Sequence, residues 1–181
     1  MVVPKRHVVQ IDAGRVSQAA WLEHVLRDNL DSLYRFALRL SQNMAEAQDL
    51  VQEIAARAWE RQNTDVQNWR AWLFQTLYHA FISSRRHRWR EVEESSWDED
   101  LEGGDPLPAV IASNDVRRAI EALPEDLRAV VWLSDAEELH LREIAQILGW
   151  PIGTVASRLW RARSDLRKLL SAYGSPGEKL Q

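Results

Sequence analysis

The chain has 181 residues, 45% of them hydrophobic and 28% charged, enough for one ordinary domain or two small ones. It contains no cysteine, which excludes disulfides, thiol catalysis and cysteine-held zinc or iron–sulfur centres, and which fits a cytoplasmic protein. Its net charge of −4 argues by itself against a nucleic-acid partner.

The charge is segregated, however. Four arginines (Arg85, Arg86, Arg88, Arg90) precede a block, residues 91–105, with eight acids and no base. Without that block the chain is positive (−4 plus 8 gives +4), and residues 141–170 carry six bases against two acids. Net charge therefore misleads, because it averages segments of opposite sign. No apolar run approaches the roughly 20 residues of a membrane span, and Met1–His7 lacks the long apolar stretch of a secretory signal. No membrane insertion is expected.

Along the chain, residues 1–20 read as an extension, frayed over most of its length. Residues 23–62 read as helical, with leucine and alanine at three- and four-residue spacing and no glycine or proline. Around Asp49 the helical wheel puts Leu50, Val51, Ile54 and Ala58 on a core side. Asp49, Gln52, Glu53, Ala56 and Glu60 fall on an acidic, flat side within about 100° of arc. That side is either a solvated face or a docking face for a basic partner.

The polar stretch Gln62–Asn68 reads as a loop, and a second helix is expected from Trp69 to Arg90. Its apolar side carries Trp69, Leu73, Phe74, Leu77, Ala80 and Phe81. The other side carries Trp72, Gln75, His79, Ser83 and Arg86 within about 80° of arc. An aromatic ring, polar donors and an arginine suit an unstacked DNA strand, since base stacking on an aromatic is worth about 1–3 kcal/mol. His79 fits a packed or solvated histidine as well as a base reader. Residues 91–112, acidic and interrupted by Gly103-Gly104 and Pro106 and Pro108, read as a flexible linker.

Helical periodicity resumes near Ser113 and continues in short helices to about Ser171, before a tail at 172–181. Leu141, Ile144, Ala145 and Leu148 form one apolar stripe. Gly149-Trp150-Pro151 ends that helix, and Val155, Leu159, Ala162 and Leu166 form the stripe of the next. This is helix-turn-helix geometry, in which the second helix enters the major groove. Its outward side carries Gly153, Ala156, Ser157, Trp160, Arg161 and Ser164, with Arg158 at the margin and Thr154 near the amino end. An exposed basic helix in an ordinary bundle would look similar; the glycine–proline turn followed by Gly-Thr-Val and clustered arginines favours DNA. The fold class expected is all-α: two small helical domains joined by an acidic flexible linker.

Three segments, Leu123-Pro124-Glu125-Asp126-Leu127-Arg128, Arg142–Gly149 and Pro151–Arg163, resemble in order the promoter-binding domain of extracytoplasmic-function (ECF) sigma factors of the sigma-70 family. Independently, Asp49-Leu50-Val51-Gln52-Glu53 resembles that family's core-polymerase motif. Trp72-Leu73 with Arg85-Arg86-His87-Arg88 resembles its promoter-opening helix.

The resemblance implies domain 2 at 21–90 (core binding, −10 recognition and melting), the linker at 91–112 and domain 4 at 113–171 (−35 recognition). It implies core RNA polymerase contacts at Asp49, Leu50, Gln52 and Glu53. The −10 contacts would be at Trp72, Gln75, His79, Ser83 and Arg86, with a base-capturing loop at Gln62–Asn68. The −35 contacts would be at Thr154, Ser157, Arg158, Trp160, Arg161 and Arg163. Many relatives carry asparagine and aspartate (or asparagine) where this chain has His79 and Ser83, so the resemblance does not fix the base-edge chemistry at these two positions. The implied partners are core RNA polymerase, promoter DNA and an anti-sigma factor, with the free chain a monomer.

Two rivals differ in what they need. A stand-alone helix-turn-helix regulator would bind a palindrome as a dimer and has no use for the Asp49 motif. An enzyme would need a site, yet no Gly-x-x-x-x-Gly-Lys loop or His-Glu-x-x-His helix is present, and the five histidines are scattered. No catalytic residue, metal or cofactor is expected.

Overall fold

The structure, a computed structural model, describes residues 13–61, 66–94 and 114–173. These form α1 (Ala13–Ser41), α2 (Met44–Glu60), α3 (Trp69–Glu94), α4 (Asn114–Glu121), α5 (Glu125–Val131), α6 (Leu141–Leu148) and α7 (Ile152–Tyr173). The described residues contain no strand. Residues 62–65 of the polar loop, Trp97 with the rest of the linker, and the tail beyond Tyr173 lie outside the described residues.

Three boundaries differ from those the periodicity predicts. The helical stretch at 23–62 is two helices. Gln42 takes a left-handed conformation (φ 55°), and Asn43 caps α2 by accepting a hydrogen bond from the Glu46 N–H at 3.0 Å. Neither glycine nor proline marks this break, because asparagine supplies the cap and the left-handed position is tolerated by a glutamine. The first helix starts at Ala13, so residues 13–20 of the expected extension belong to it. The third runs to Glu94, four residues past Arg90 and into the acidic block.

Helices α1–α3 pack around Leu22, Leu33, Phe36, Ile54, Leu73, Phe74, Leu77 and Phe81, all essentially inaccessible. Phe36 and Phe74 meet with ring centroids 5.5 Å apart. Fully burying each such side chain stabilises the fold by roughly 1.5–3 kcal/mol. The second group, α4–α7, packs around Leu127, Val130, Leu133, Ile144, Ile147, Val155, Leu159 and Ala162.

The two groups pack directly on each other: α3 lies against α6, and α1 lies against α5. Between α5 and α6 the chain widens into a π-helical turn, Trp132–Ala136, closed by the Glu137 N–H on the Trp132 carbonyl at 3.2 Å. The Glu143 carboxylate then accepts from the His140 N–H at 2.9 Å and starts α6. Gly149, at φ 69°, ends α6 in the left-handed conformation that glycine adopts without strain. Pro151 follows and α7 leaves in a new direction.

Candidate nucleic-acid interface

Helix α7 is anchored by Val155, Leu159 and Ala162, so the residues between them face outward. Ser157, Trp160 and Arg161 are exposed; Trp160 is 71% accessible, the most exposed large apolar side chain among the described residues. Thr154 is half-buried near the amino end of the helix, and its carbonyl accepts from the Ser157 hydroxyl at 3.0 Å.

The remaining two arginines of this set are tied to their own helical group. Arg158 stacks 4.0 Å over the Trp150 ring and lies 3.2 Å from Asp126. Arg163 pairs with the Asp135 carboxylate and reaches the Ser134 hydroxyl at 3.2 Å, and the Asp135 hydrogen bond raises its pKa. Arg163 thus braces α7 against the π-helical turn. An arginine that aligns the helix and one that reads a base look alike on a helical wheel; only the position of Asp135 separates them.

On α2 the wheel divides as the spacing predicts. Leu50, Val51, Ile54 and Ala58 are buried, while Asp49, Gln52, Glu53, Ala56 and Glu60 are exposed. Leu50, only 4% accessible, belongs to the core and not to the surface that its motif suggests. Glu53 pairs with Arg57 one turn on. Trp59 is 40% accessible, and Trp21 is 47% accessible with one edge against Trp69.

Of the strip on α3, His79, Ser83 and Arg86 are exposed, while Trp72 and Gln75 are half-buried. Trp72 is half-buried edge-on to Trp69, with Arg61 over its ring at 5.9 Å. Gln75 donates to the Gln146 carbonyl of α6 at 3.0 Å. His79, Ser83 and Arg86 line a cavity of about 750 Å3 whose opposite wall is Leu148, Gly149, Trp150, Glu125, Asp126 and Arg158. Tyr78 lies at its base, edge-on to Trp150 with centroids 6.2 Å apart. Burial, reinforced by the Glu125 carboxylate, pushes the Tyr78 phenol up to about 12.

The seam between the groups is polar and ordered by residues outside the predicted contact sets. Arg128, 8% accessible, donates to the Arg39 carbonyl at 2.9 Å and to the Leu123 carbonyl at 3.1 Å. Arg39, equally buried, lies over Trp132 and 3.3 Å from Glu121. Burial lowers the pKa of both guanidinium groups. Arg70 reaches the buried Glu137 carboxylate at 2.8 Å, and Arg85 reaches Glu125 at 3.2 Å. The composition itself signals Arg128, a cation set among Leu127, Ala129, Val130 and Val131, where a buried guanidinium needs bonded partners.

The arrangement is that of a two-part helical transcription factor, and comparison with known proteins gives its family. Residues 25–91 match Sigma-70 region 2 and residues 113–166 match Sigma-70, region 4. The chain is 33% identical over 177 residues to the ECF RNA polymerase sigma factor SigE of Mycolicibacterium smegmatis, covering 93% of this chain and 68% of that one. It is 38% identical to the ECF RNA polymerase sigma factor EcfG of Rhodopseudomonas palustris, covering 83% and 87%. Its fold resembles that of the sigma factor RpoE from Bartonella quintana, solved with the anti-sigma factor NepR, with a TM-score of 0.69, 33% identity and coverage of 82% and 96%. The chain belongs to the sigma-70 family as an ECF RNA polymerase sigma factor, a regulator of transcription initiation. No helix among the described residues is long and apolar enough to cross a membrane, and no group of three or more His, Cys, Asp or Glu among them could hold a metal.

Proposed function

We propose that the chain is a cytoplasmic, non-catalytic specificity subunit that binds core RNA polymerase through the exposed side of α2 and reads the −35 element with α7. Asp49, Gln52 and Glu53 supply the polymerase contact, with Leu50 holding them in place from beneath. Ser157, Trp160 and Arg161 supply the base contacts: the arginine can pair with guanine and the indole can pack on thymine methyls. Thr154 contacts phosphate, and Arg158 and Arg163 hold the helix at its angle. Trp72, Gln75, His79, Ser83 and Arg86 hold the melted −10 strand.

The observation that carries this reading is the 71% exposure of Trp160 beside Arg161, on a helix anchored by Val155, Leu159 and Ala162 in a chain of this family. The solved relative from Bartonella quintana is held by an anti-sigma factor, and the same kind of control is proposed here. Run-off transcription with core polymerase and a promoter library tests the proposal. Initiation from a subset of templates, lost on Arg161→Ala, is expected. Tight dimeric binding to a palindrome, indifferent to polymerase, would overturn it.

A further inference from the structure

We infer that the seam between α1 and helices α4 and α5 is a binding site for a small monovalent anion of the chloride class, held by Arg39, Arg117, Arg128 and Trp132. The inference is independent of the reading of α2, α3 and α7 as polymerase and promoter surfaces.

Charge is the first reason. Arg39 and Arg117 each place a guanidinium nitrogen 3.3 Å from the same Glu121 oxygen. Arg128 donates to the Arg39 carbonyl at 2.9 Å, and the Arg39 guanidinium lies 5.2 Å from the centre of the Trp132 ring. Three cations thus meet one carboxylate, a net charge of +2. The other carboxylate that acts on Arg128 is Glu125, which is paired with Arg85 at 3.2 Å and brings no net charge. Arg39 and Arg128 are buried, so water screens the excess poorly, and charge of one sign is costly there unless it is compensated.

Unmet hydrogen bonds are the second reason. Arg117 Nε, Arg128 Nε and Trp132 Nε1 are buried and have no hydrogen-bond partner among the described residues. All three belong to side chains that touch Arg39 or share Glu121 with it. Arg128 and Trp132 are four residues apart, one helical turn, and leave the backbone on the same side. Buried N–H groups are rarely left without an acceptor, and three in one cluster call for a shared one. Water would accept these bonds and leave the charge of +2 standing; an anion answers both. The site opens past Arg117 and Glu121, whose side chains are 22% accessible, a narrow edge that admits a monatomic ion more readily than a bulky one. Bound there, the ion ties α1 to α4 and α5, and by mass action chloride stabilises this arrangement of the chain.

Thermal unfolding of the full chain in sodium chloride, against sodium isethionate at equal concentration, separates binding from screening, because the two salts screen alike. Chloride is expected to raise the melting temperature by about 2–4 °C over isethionate. Trp132→Phe removes one donor and keeps a ring under Arg39, and Arg117→Met removes a donor and a charge. Each is expected to lose most of the chloride increment while still unfolding cooperatively. Glu121→Gln is expected to enlarge it, since the competing carboxylate is gone. Broadening of the chloride NMR line by the folded chain reads binding directly. Equal melting temperatures in the two salts without line broadening would mean that water meets the donors, and would overturn the inference. So would a chloride increment that survives unchanged in both Trp132→Phe and Arg117→Met. Should Arg117→Met fail to fold, Trp132→Phe and Glu121→Gln decide the matter, because their expected changes have opposite signs.

Discussion

Helices α3 and α7 carry similar chemistry on one side: a tryptophan, small polar residues and arginine at helical spacing. Yet α7 leaves Ser157, Trp160 and Arg161 to solvent, while α3 has Gln75 bonded to α6 and exposes His79, Ser83 and Arg86 at the rim of a cavity shared with α5 and α6. The difference lies in what each helix has left over after packing. Within its own group α7 buries a stripe of Val155, Leu159 and Ala162, and among the described residues nothing covers Ser157, Trp160 or Arg161 on its opposite side. By contrast α3 buries one side in the α1–α3 core and then meets α6 along its flank. An amphipathic pattern fixes which side is core; it does not fix what lies against the other.

The largest expected effect tests the same division within α2. Leu50→Ala should lower stability by about 2–5 kcal/mol in denaturant unfolding, because it empties part of the core. Asp49→Ala should leave unfolding unchanged and weaken binding to core polymerase. Equal stability of the two variants would mean that Leu50 does not carry the packing its burial indicates. In the seam, Arg128→Met should lower stability by about 1.5–3 kcal/mol, since two carbonyls lose a charged donor.

On α7 the expectation reverses. Arg161→Ala should leave the melting temperature in place and reduce −35-dependent run-off transcription by about 5- to 150-fold, the equivalent of 1–3 kcal/mol. Arg163→Ala should affect both stability and transcription, and equally on every promoter, because Arg163 braces the helix through Asp135. A change in sequence preference in that variant would show instead that Arg163 reads bases.

The smallest effect concerns pH. Tyr78 has its folded pKa raised above the ordinary phenol value near 10, so its neutral form is favoured by the fold. The stability it contributes is complete below about pH 10 and is lost as pH rises through about 12. Phenolate absorbance of the chain, compared with Tyr78→Phe, should lack a late-titrating tyrosine in the variant. An unchanged profile would sink the assignment of that environment to Tyr78.

The amino-acid sequence determined, unaided, that the chain is helical, where its helix-turn-helix lies and which residues of α2 and α7 face inward. Those properties follow from local periodicity and from Gly149 and Pro151, each of which acts within a few residues. It left the Ser41–Asn43 break invisible, since a capping asparagine does not interrupt an apolar pattern. Only the tertiary structure decided that Arg158 and Arg163 brace α7, that Arg39 and Arg128 fill a buried seam, and that α6 lies on the strip of α3. Apart from the Leu123 carbonyl, the carboxylate and carbonyl partners of these arginines are 28 to 89 residues away along the chain, and no local spacing encodes which distant carboxylate or carbonyl a cation will meet.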